Sequence, residues 1–321
     1  PKTIEQDDAG GFGSWHTLHH PPAYVYRLPK SLYHGEHGAV LDQQGRIFGD
    51  ILDAAIGQFA DSAPGDLLPT RTEPRFVDTD AIALSSSLNY YHWLIKMLPR
   101  LHLLERAGVE IDKCDLLVNP PTKFQSEGYA ASGLRAKTLR VVGWRHFHYC
   151  RNLFVTSVPH DMPPWTITYL RELFAATLRG APAKSRAIYL SRRNAPSRRV
   201  VYEEAVAEYL DTVGVEVIDL AEHPFSKQIE IVAQADLIIA PHGAALSNLA
   251  FAKSTARVLE IFSDAATQKC FWILSRHLGI TYHYFVAEIV PRNDGSQFMD
   301  MIIPVEKLKR ALDHLFRDRG E

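Results

Sequence analysis

Strict alternation between short apolar stretches and longer amphipathic ones, from Arg186 onward, constrains the fold more than any other feature of the sequence. The apolar stretches are typical of buried strands and the longer ones of helices. In chain order they read AIYLS, YEEAVAEYLDTVG, VEVIDL, PFSKQIEIVAQA, DLIIA, AALSNLAFA, RVLEIF, TQKCFWILSRHLG and TYHYF. Parallel strands need covering crossover helices. The pattern therefore predicts a Rossmann-like α/β domain with a parallel sheet.

The N-terminal half is less regular. Turn-rich segments such as AVLDQQGRIFGDIL predict a small antiparallel N-terminal addition. The later segments AIALSS, CDLLVN, RVVG and NLFVTS, with helices between them, predict further βα units. Because 321 residues exceed the usual size of one hydrophobic core, we expect two domains. The Pro-rich segment PHDMPPW predicts their connection, which gives domains of residues 1–165 and 166–321.

Composition excludes several classes of protein. A net charge of -2 does not suit a nucleic-acid-binding protein, so any anion site must be local. Three scattered cysteines without a CxxC pair argue against a disulfide framework and a structural zinc site. No apolar run approaches the ~18 residues of a membrane span, and the N-terminal segment lacks the apolar core of a signal peptide. We therefore expect a soluble, cytoplasmic protein.

The stretch DLIIAPHGAALSN predicts a ligand site, because ligands of open parallel sheets bind beyond the carboxyl ends of the strands. Gly243 is expected to permit a backbone geometry closed to other residues. Ala244 and Ala245 let a ligand approach the main chain, at a helix N-terminus that favours phosphate. His242 adds a donor or a titratable group. Alternatively, Gly243 only eases a tight turn and His242 is a satisfied polar residue.

Two further strand ends are expected at the same edge of the sheet. The segment YLSRRNAPSRRV places arginines after its strand, and Arg192 and Arg193 are nearest to the strand end. Arginine binds phosphate oxygens through a planar fork of donors, although a solvated basic loop is the alternative. Glu260 closes the strand RVLEI and suits a ribose diol, or else the cap of the next helix.

A helix predicted from Asn89 carries a second group of polar residues. Leu94, Ile95, Met97, Leu98, Leu101 and Leu104 share one broad face at helical spacing, and Asn89, His92, Lys96 and Arg100 lie on the other. Asn89 is a good N-cap, and Pro99 should kink the helix. The polar stripe is either a solvated face or the wall of a site for a second substrate.

The segments NYYHWLIKMLPRL, YLSRR and ADLIIAPHGAALSNLAFA, followed by VLEIF, resemble glycosyltransferase family 61, which includes bacterial capsular polysaccharide biosynthesis enzymes. The resemblance implies a GT-B-like architecture of two Rossmann-like domains facing across a cleft. It also implies inverting, metal-independent transfer of a sugar from a nucleotide-sugar donor to a glycan hydroxyl, with no cofactor. The implied donor-binding residues are Arg192, Arg193, His242, Gly243, Ala244, Ala245, Ser247, Asn248 and Glu260, and the acceptor-side residues are Asn89, His92, Trp93, Lys96 and Arg100.

Inverting transfer requires a general base and electrostatic help for the departing diphosphate. We favour His92 as base and His242 second, since a histidine beside a diphosphate is more often a protonated donor. Relatives often carry an acidic residue where this chain has Lys96, which leaves the assignment of the base open. Arg192, Arg193 and the helix N-terminus would stabilise the diphosphate.

Three other functions have to be weighed. Asp78 and Asp80 form a DxD motif that could serve a metal-dependent GT-A transferase, but they precede the expected strand instead of following it. An NAD-dependent dehydrogenase would need GxGxxG after its first strand, and none is present. A catalytically inactive nucleotide- or glycan-binding module stays open.

The acceptor is expected to be a glycan or a lipid-linked saccharide. A lipid-linked acceptor would take the protein to the inner face of the membrane. The sequence does not predict the oligomeric state.

Overall fold

The computed structural model describes residues 2–3, 20–34, 38–42, 44, 46, 48, 74–84, 88–142, 147–159, 161–181, 185–263, 268–292 and 299–317. The chain divides into two compact units. The N-terminal unit is His19–Leu173, and the C-terminal unit is Phe174–Glu321 together with Pro1–Leu18. Each unit contains one six-stranded sheet. The division follows Leu173, whereas the sequence places it between residues 165 and 166; the roles assigned to the two domains stay predictions.

The strands are β1 (Lys2–Thr3), β2 (Val25–His34), β3 (Ala39–Leu41), β4 (Arg75–Ala83), β5 (Asp115–Val118), β6 (Thr138–Val141), β7 (Phe147–Thr156), β8 (Arg186–Leu190), β9 (Val215–Ile218), β10 (Ala235–Pro241), β11 (Arg257–Phe262), β12 (Thr281–Val286), β13 (Glu288–Val290) and β14 (Asp300–Ile302). The α-helices are α1 (Arg100–Arg106), α2 (Lys123–Ser132), α3 (Pro164–Leu173), α4 (Ala175–Gly180), α5 (Glu203–Thr212), α6 (Phe225–Gln234), α7 (Cys270–Leu278) and α8 (Val305–Arg317). A π-helix spans His92–Met97, and 3₁₀ helices span Ile111–Lys113, Leu220–Glu222 and Ala244–Phe251.

The C-terminal unit confirms the predicted parallel α/β domain. Its strands lie in the order β1, β12, β11, β10, β8, β9, and all neighbouring pairs are parallel. The central strands β10 and β11 are buried almost throughout because helices cover the sheet. Helices α5 and α7 are each followed by a glycine in the left-handed region, Gly214 and Gly279, which ends them. A separate antiparallel pair is formed by β13 and β14.

The N-terminal unit has a mixed sheet in the order β3, β2, β7, β4, β5, β6. Strands β4, β5, β6 and β7 pair in parallel, as the predicted βα units require. Strand β2 pairs antiparallel with both β3 and β7, in agreement with the predicted antiparallel addition, whose remainder lies outside the described residues. Within the described ranges, no helix has the length and apolar character needed to span a bilayer.

The helix predicted from Asn89 is divided into a π-helix and α1. The Oδ1 atom of Asn89 accepts hydrogen bonds from the backbone N–H groups of Tyr91 (2.9 Å) and His92 (3.3 Å), which confirms the predicted N-cap. The N–H of Leu98 donates to Trp93 O at 3.0 Å, a π-type bond, and α1 begins after Pro99. The interruption at Pro99 was therefore expected, but the π-helix before it was not. Such helices are rare and occur frequently at functional sites.

Tight packing of Gly128 against Trp93 gives a stability prediction for this unit. A Cβ atom on Gly128 would lie 2.2 Å from Cη2 of Trp93, whose side chain is fully buried. Gly128→Ala should therefore lower the free energy of unfolding by about 1–3 kcal/mol, as overpacking does. The control is Gly180→Ala at the exposed end of α4, where a Cβ meets nothing within 4 Å. Equal urea midpoints for the two variants would contradict the prediction.

Candidate functional site

The carboxyl ends of β8 and β10 lie side by side in the C-terminal unit. Tyr189 of β8 pairs with Ile239 of β10, so the residues that follow the two strands leave the sheet at the same edge. Arg192 follows β8 and His242 follows β10. Polar side chains from two predicted segments are thereby brought together at the edge where ligands of such sheets bind.

The guanidinium of Arg192 lies directly over Gly243. A Cβ atom placed on Gly243 would be 1.7 Å from Nη1 of Arg192, so only glycine leaves room for the arginine. Gly243 itself has φ 174 and ψ 168, an extended conformation that any residue adopts. The prediction that its backbone geometry demands glycine was therefore wrong, and the requirement is for space.

Backbone carbonyls hold the Arg192 side chain. Nε donates to Arg198 O at 2.8 Å and Nη2 donates to Ser197 O at 2.6 Å. In the described part of the chain, no carboxylate forms an ion pair with this guanidinium. Burial, and secondarily the charge of Arg198, lowers the pKa of Arg192 to about 10, so the side chain remains a cation at neutral pH. The result is a fixed positive charge without a carboxylate partner.

Glu203, which the sequence interpretation treated only as part of a helix, fixes the backbone of this arginine. Its buried carboxylate accepts hydrogen bonds from the backbone N–H of Arg192 at 3.0 Å and from the hydroxyls of Tyr189 (2.9 Å) and Ser191 (2.8 Å). The one sequence feature that could have indicated this role is the position of Glu203, an acidic residue, in the first turn of α5. Its partners become evident only from the pairing of β8 with its neighbours.

His242 and Glu260 form a buried pair that Tyr282 completes. Nδ1 of His242 contacts Oε1 of Glu260, and the Tyr282 hydroxyl donates to Oε2. The imidazole stacks on Phe262, with ring centroids 5.1 Å apart, and also contacts Phe271 at 5.4 Å. The ring is thus fixed on one side by a carboxylate and on its faces by aromatic rings. Tyr282 and Phe271 were not singled out from the sequence.

The geometry of Glu260 does not fit the predicted hydrogen bonds to a ribose diol. The residue is 0% exposed, and both carboxylate oxygens already have partners. Glu260 lies level with Ala240 in the neighbouring strand, two residues before His242, so its side chain remains inside the sheet region. In this structure its carboxylate contacts His242 and Tyr282.

The turn after His242 differs from the expected α-helix. Ala244–Phe251 is a 3₁₀ helix, and the N–H groups of Ala244 and Ala245 begin it, so no earlier helical carbonyl accepts from them. Ser247 and Asn248, predicted to bind the donor, are both 0% exposed. Asn248 donates to Ala245 O at 3.1 Å and thereby stabilises the turn. The backbone of the two alanines, which are partly exposed, is the accessible part.

The second predicted arginine is placed differently from Arg192. Arg193 is exposed, and its backbone N–H donates to Ser191 Oγ at 3.1 Å. Further along the same loop, the backbone N–H of Arg199 donates to Asp300 Oδ1 at 2.8 Å. Asp300 also accepts from Arg292 at 3.2 Å and so anchors the loop that carries Arg192. The sequence interpretation did not identify Asp300.

The anchoring carboxylate gives a pH-dependent stability prediction. Burial alone would raise the pKa of Asp300, but hydrogen bonds and charge from Arg199 and Arg292 lower it overall. Asp300→Asn should therefore cost about 1–3 kcal/mol at neutral pH. Because the folded-state pKa is depressed, this contribution is complete above the unfolded-state pKa and is lost as pH falls through the folded-state value. Urea unfolding of the parent protein and of Asp300→Asn, from neutral pH to about pH 3, tests this. A difference in the free energy of unfolding that stays constant over this range would contradict the prediction.

The acceptor-side residues predicted from the sequence all belong to the N-terminal unit, where they have different environments. His92 and Lys96 are partly exposed members of the π-helix, and Asn89 caps it. The ring of His92 contacts that of Tyr91 edge to face at 5.4 Å. His92 and Lys96 therefore remain accessible side chains on an unusual helical segment.

Trp93 and Arg100 are buried inside the N-terminal unit and do not form part of an accessible polar stripe. Trp93 is 0% exposed and packs against Phe124 and Tyr129, with ring centroids 5.5 and 5.9 Å away. Arg100 is 5% exposed, and its guanidinium donates to Thr156 Oγ1 at 2.7 Å and to Thr156 O at 3.2 Å. Both side chains have partners inside the unit, and their assignment to the acceptor stays a prediction.

The DxD motif is also placed differently from its prediction. Asp78 and Asp80 lie within β4, which begins at Arg75, and do not precede the strand. Oδ1 of Asp80 accepts a hydrogen bond from Asn152 at 2.7 Å. In the described ranges, no group of three or more His, Cys, Asp and Glu side chains is arranged to hold a metal ion. Metal independence itself stays a prediction.

A comparison with known families matches a range that includes residues of the π-helix and residues at the edge of the C-terminal sheet. The family model described as Glycosyltransferase 61 matches residues 90–259, just over half of the chain. The chain belongs to glycosyltransferase family 61. The predicted resemblance is confirmed at the level of the family. The matched range includes His92, Arg192 and the His242–Gly243 turn, and it ends one residue before Glu260.

A curated relative of this family 61 chain is an EGF domain-specific O-linked N-acetylglucosamine transferase from Drosophila melanogaster. The two are 30% identical over 117 residues, which are 35% of this chain and 22% of the relative. The chain thus spans only a small part of that protein's length.

Proposed function

We propose that this protein is an inverting, metal-independent transferase of GT-B type that moves a sugar from a nucleotide-sugar donor to a hydroxyl of a glycan acceptor. The observation that carries the proposal is the partly buried, carbonyl-held guanidinium of Arg192 over Gly243, which has no carboxylate ion-pair partner in the described ranges. Such a cation is suited to the diphosphate of the donor, whose charge grows as the sugar departs.

Two further groups at the same edge support a diphosphate site. The N–H groups of Ala244 and Ala245 begin a helix and are suited to phosphate oxygens. His242 is adjacent to Gly243, and no described residue hydrogen-bonds to its Nε2 atom, which leaves this nitrogen for a ligand. These groups and Arg192 would stabilise the leaving diphosphate. The acceptor proton would then be taken by a base elsewhere, for which we propose His92.

The acceptor belongs to the proposal as well. The family resemblance favours a saccharide of a bacterial surface polysaccharide, free or lipid-linked, which would place the enzyme in the cytoplasm at the inner face of the membrane. The name of the Drosophila relative instead indicates N-acetylglucosamine as the sugar and an EGF domain as the acceptor. Acceptor assays with lipid-linked saccharides and with EGF domains separate the two.

A metal-dependent GT-A mechanism is less well supported. Asp80 is engaged by Asn152, and the DxD motif lies inside a strand instead of following one. A catalytically inactive binding module would use the same nucleotide site without turnover. Only transfer measurements separate that alternative from an enzyme, because both predict nucleotide binding.

The first experiment is a thermal-shift screen with UDP, GDP, CMP, dTDP and their common sugars, with and without EDTA. A ligand that binds the native state raises its apparent stability, by about 2.7 kcal/mol at a concentration 100 times the Kd. We expect a shift with one class of nucleotide that survives EDTA. Absence of a shift with every nucleotide in a folded sample would contradict the proposal, and a shift abolished by EDTA would contradict metal independence.

A further inference from the structure

His242 and Glu260 form a buried pair in the C-terminal unit. Glu260 is 0% exposed, and its oxygens contact His242 Nδ1 and the hydroxyl of Tyr282. In free solution a glutamate loses its proton about two pH units below a histidine, so a proton shared by the pair belongs to the imidazole. Burial, and secondarily the charge of Glu260, raises the pKa of Tyr282 well above its ordinary value. Tyr282 is therefore a neutral donor that favours the ionised carboxylate.

A buried carboxylate requires a counter-ion. A single unpaired charge inside a protein costs several kcal/mol, so buried carboxylates are found paired. Of the described residues, His242 is the one basic side chain within ion-pair distance of Glu260. The pairing therefore favours an imidazolium that carries one proton on Nδ1 and a second on Nε2.

We infer that Glu260 is a positioning residue that keeps His242 in the imidazolium form, so that Nε2–H is a fixed donor to the diphosphate of the nucleotide sugar. This inference rests on the proposed function. It assigns Glu260 to the leaving-group side of the reaction through His242, and not to the ribose. It also removes His242 as a base, since a doubly protonated imidazole has no lone pair to accept the acceptor proton.

The surroundings of His242 are consistent with this assignment. The titratable groups around the pair are Tyr282 on β12 and Cys270 on α7, which interact with Glu260, Tyr284 on β12, which interacts with Tyr282, Arg198, which interacts with Cys270, and Arg192, which lies over Gly243. The 3₁₀ helix Ala244–Phe251 contributes no charged side chain. Burial raises the pKa of Cys270, which leaves that thiol neutral.

Arg192 is the group that opposes protonation of His242. Its guanidinium lies over the next residue of the chain, Gly243, so two cations share one edge of the sheet. A diphosphate placed there would be attracted by both and would relieve their repulsion. Binding of a diphosphate and protonation of His242 should therefore favour each other, by the reciprocity that holds for two coupled binding equilibria.

The test is an NMR titration of the His242 imidazole in the full chain without nucleotide, assigned by the signal lost in His242→Asn. In Glu260→Gln the midpoint should fall by about 1 to 3 pH units, because the opposite charge is removed. Tyr282→Phe should lower it less. The matched control is Tyr169→Phe, which removes a hydroxyl bonded to a different glutamate, Glu105 of the N-terminal unit, and should leave the midpoint unchanged. An unchanged midpoint in Glu260→Gln would overturn the inference. If Glu260→Gln does not fold, an unchanged midpoint in Tyr282→Phe would overturn it instead.

A binding arm separates this inference from the proposed function. Affinities for UDP and for inorganic pyrophosphate are measured across the His242 midpoint. In the parent protein both should weaken as pH rises through the midpoint, and in Glu260→Gln the weakening should begin at lower pH. Affinities independent of pH, with binding retained, would overturn the role of Nε2–H as a donor. Absence of binding by either ligand, with a titration that still depends on Glu260, would overturn the proposed function and leave the pair intact.

Discussion

Gly243→Ala is expected to weaken binding of the donor nucleotide nearly as much as Arg192→Ala does. A Cβ atom at residue 243 would lie 1.7 Å from Nη1 of Arg192, so the guanidinium would have to leave its position. Because Gly243 is extended, alanine is tolerated by the backbone and the sheet should fold normally. The substitution thus displaces a charged side chain without removing it.

Arg192→Ala sets the scale of the effect. Truncating a buried, hydrogen-bonded charge at a binding interface costs about 2–5 kcal/mol, which corresponds to a roughly 30-fold to 4,000-fold loss of affinity. Isothermal titration calorimetry with the nucleotide selected by the thermal-shift screen measures both variants. Arg179→Ala and Gly180→Ala, at exposed residues of α4, are the matched controls.

The double variant shows whether Gly243 acts through Arg192. If the only effect of the new methyl group is to displace the guanidinium, adding Gly243→Ala to Arg192→Ala should weaken binding no further. Additive losses would mean that Gly243 contacts the ligand itself. Unchanged affinity in both folded single variants would remove Arg192 from the donor site and defeat the proposal.

The sequence predicts the C-terminal fold well because its evidence is local. Apolar strands and amphipathic helices between Arg186 and Val286 alternate with lengths that leave little choice but a parallel sheet, and the sheet has that order of elements. Gly214 ends α5 because glycine readily adopts the left-handed backbone conformation that terminates helices. The same local evidence correctly brings Arg192 and His242 to one edge.

The roles of individual side chains were less predictable because they depend on distances across the fold. Glycine at residue 243 is required by an arginine 51 positions earlier in the chain, and no local pattern encodes that contact. Glu260 was expected to close its strand, but it lies inside β11, two residues before the end, and its side chain is directed to His242 and Tyr282. Arg100 shares the helical spacing of a polar stripe, yet the π-helix before it shifts the register and its guanidinium bonds Thr156.

His92→Ala is expected to abolish sugar transfer while leaving nucleotide affinity unchanged. His92 belongs to the N-terminal unit, whereas Arg192 and His242 belong to the C-terminal unit, so removing it leaves the nucleotide-binding groups intact. It is partly exposed on a π-helix, a type of segment that is frequent at functional sites. Loss of a general base typically slows a reaction by about 100-fold to 10,000-fold.

The experiment compares His92→Ala with His92→Gln, which keeps a side chain of similar size that can hydrogen-bond but cannot accept a proton at neutral pH. Both should lose transfer, measured as incorporation of labelled sugar into the acceptor, and both should keep the nucleotide Kd. His223→Ala is the matched histidine control. The side chain of Gln228 donates to the backbone carbonyl of His223, so this contact does not depend on the imidazole. Recovery of transfer in His92→Gln would reduce His92 to a hydrogen-bonding role, and loss of nucleotide binding in either variant would assign it to the donor. If the parent protein transfers sugar and both variants do too, the base must be sought elsewhere. His242 would not be the next candidate for the base. If Glu260 keeps its imidazole doubly protonated, as inferred above, His242 has no lone pair with which to accept the proton.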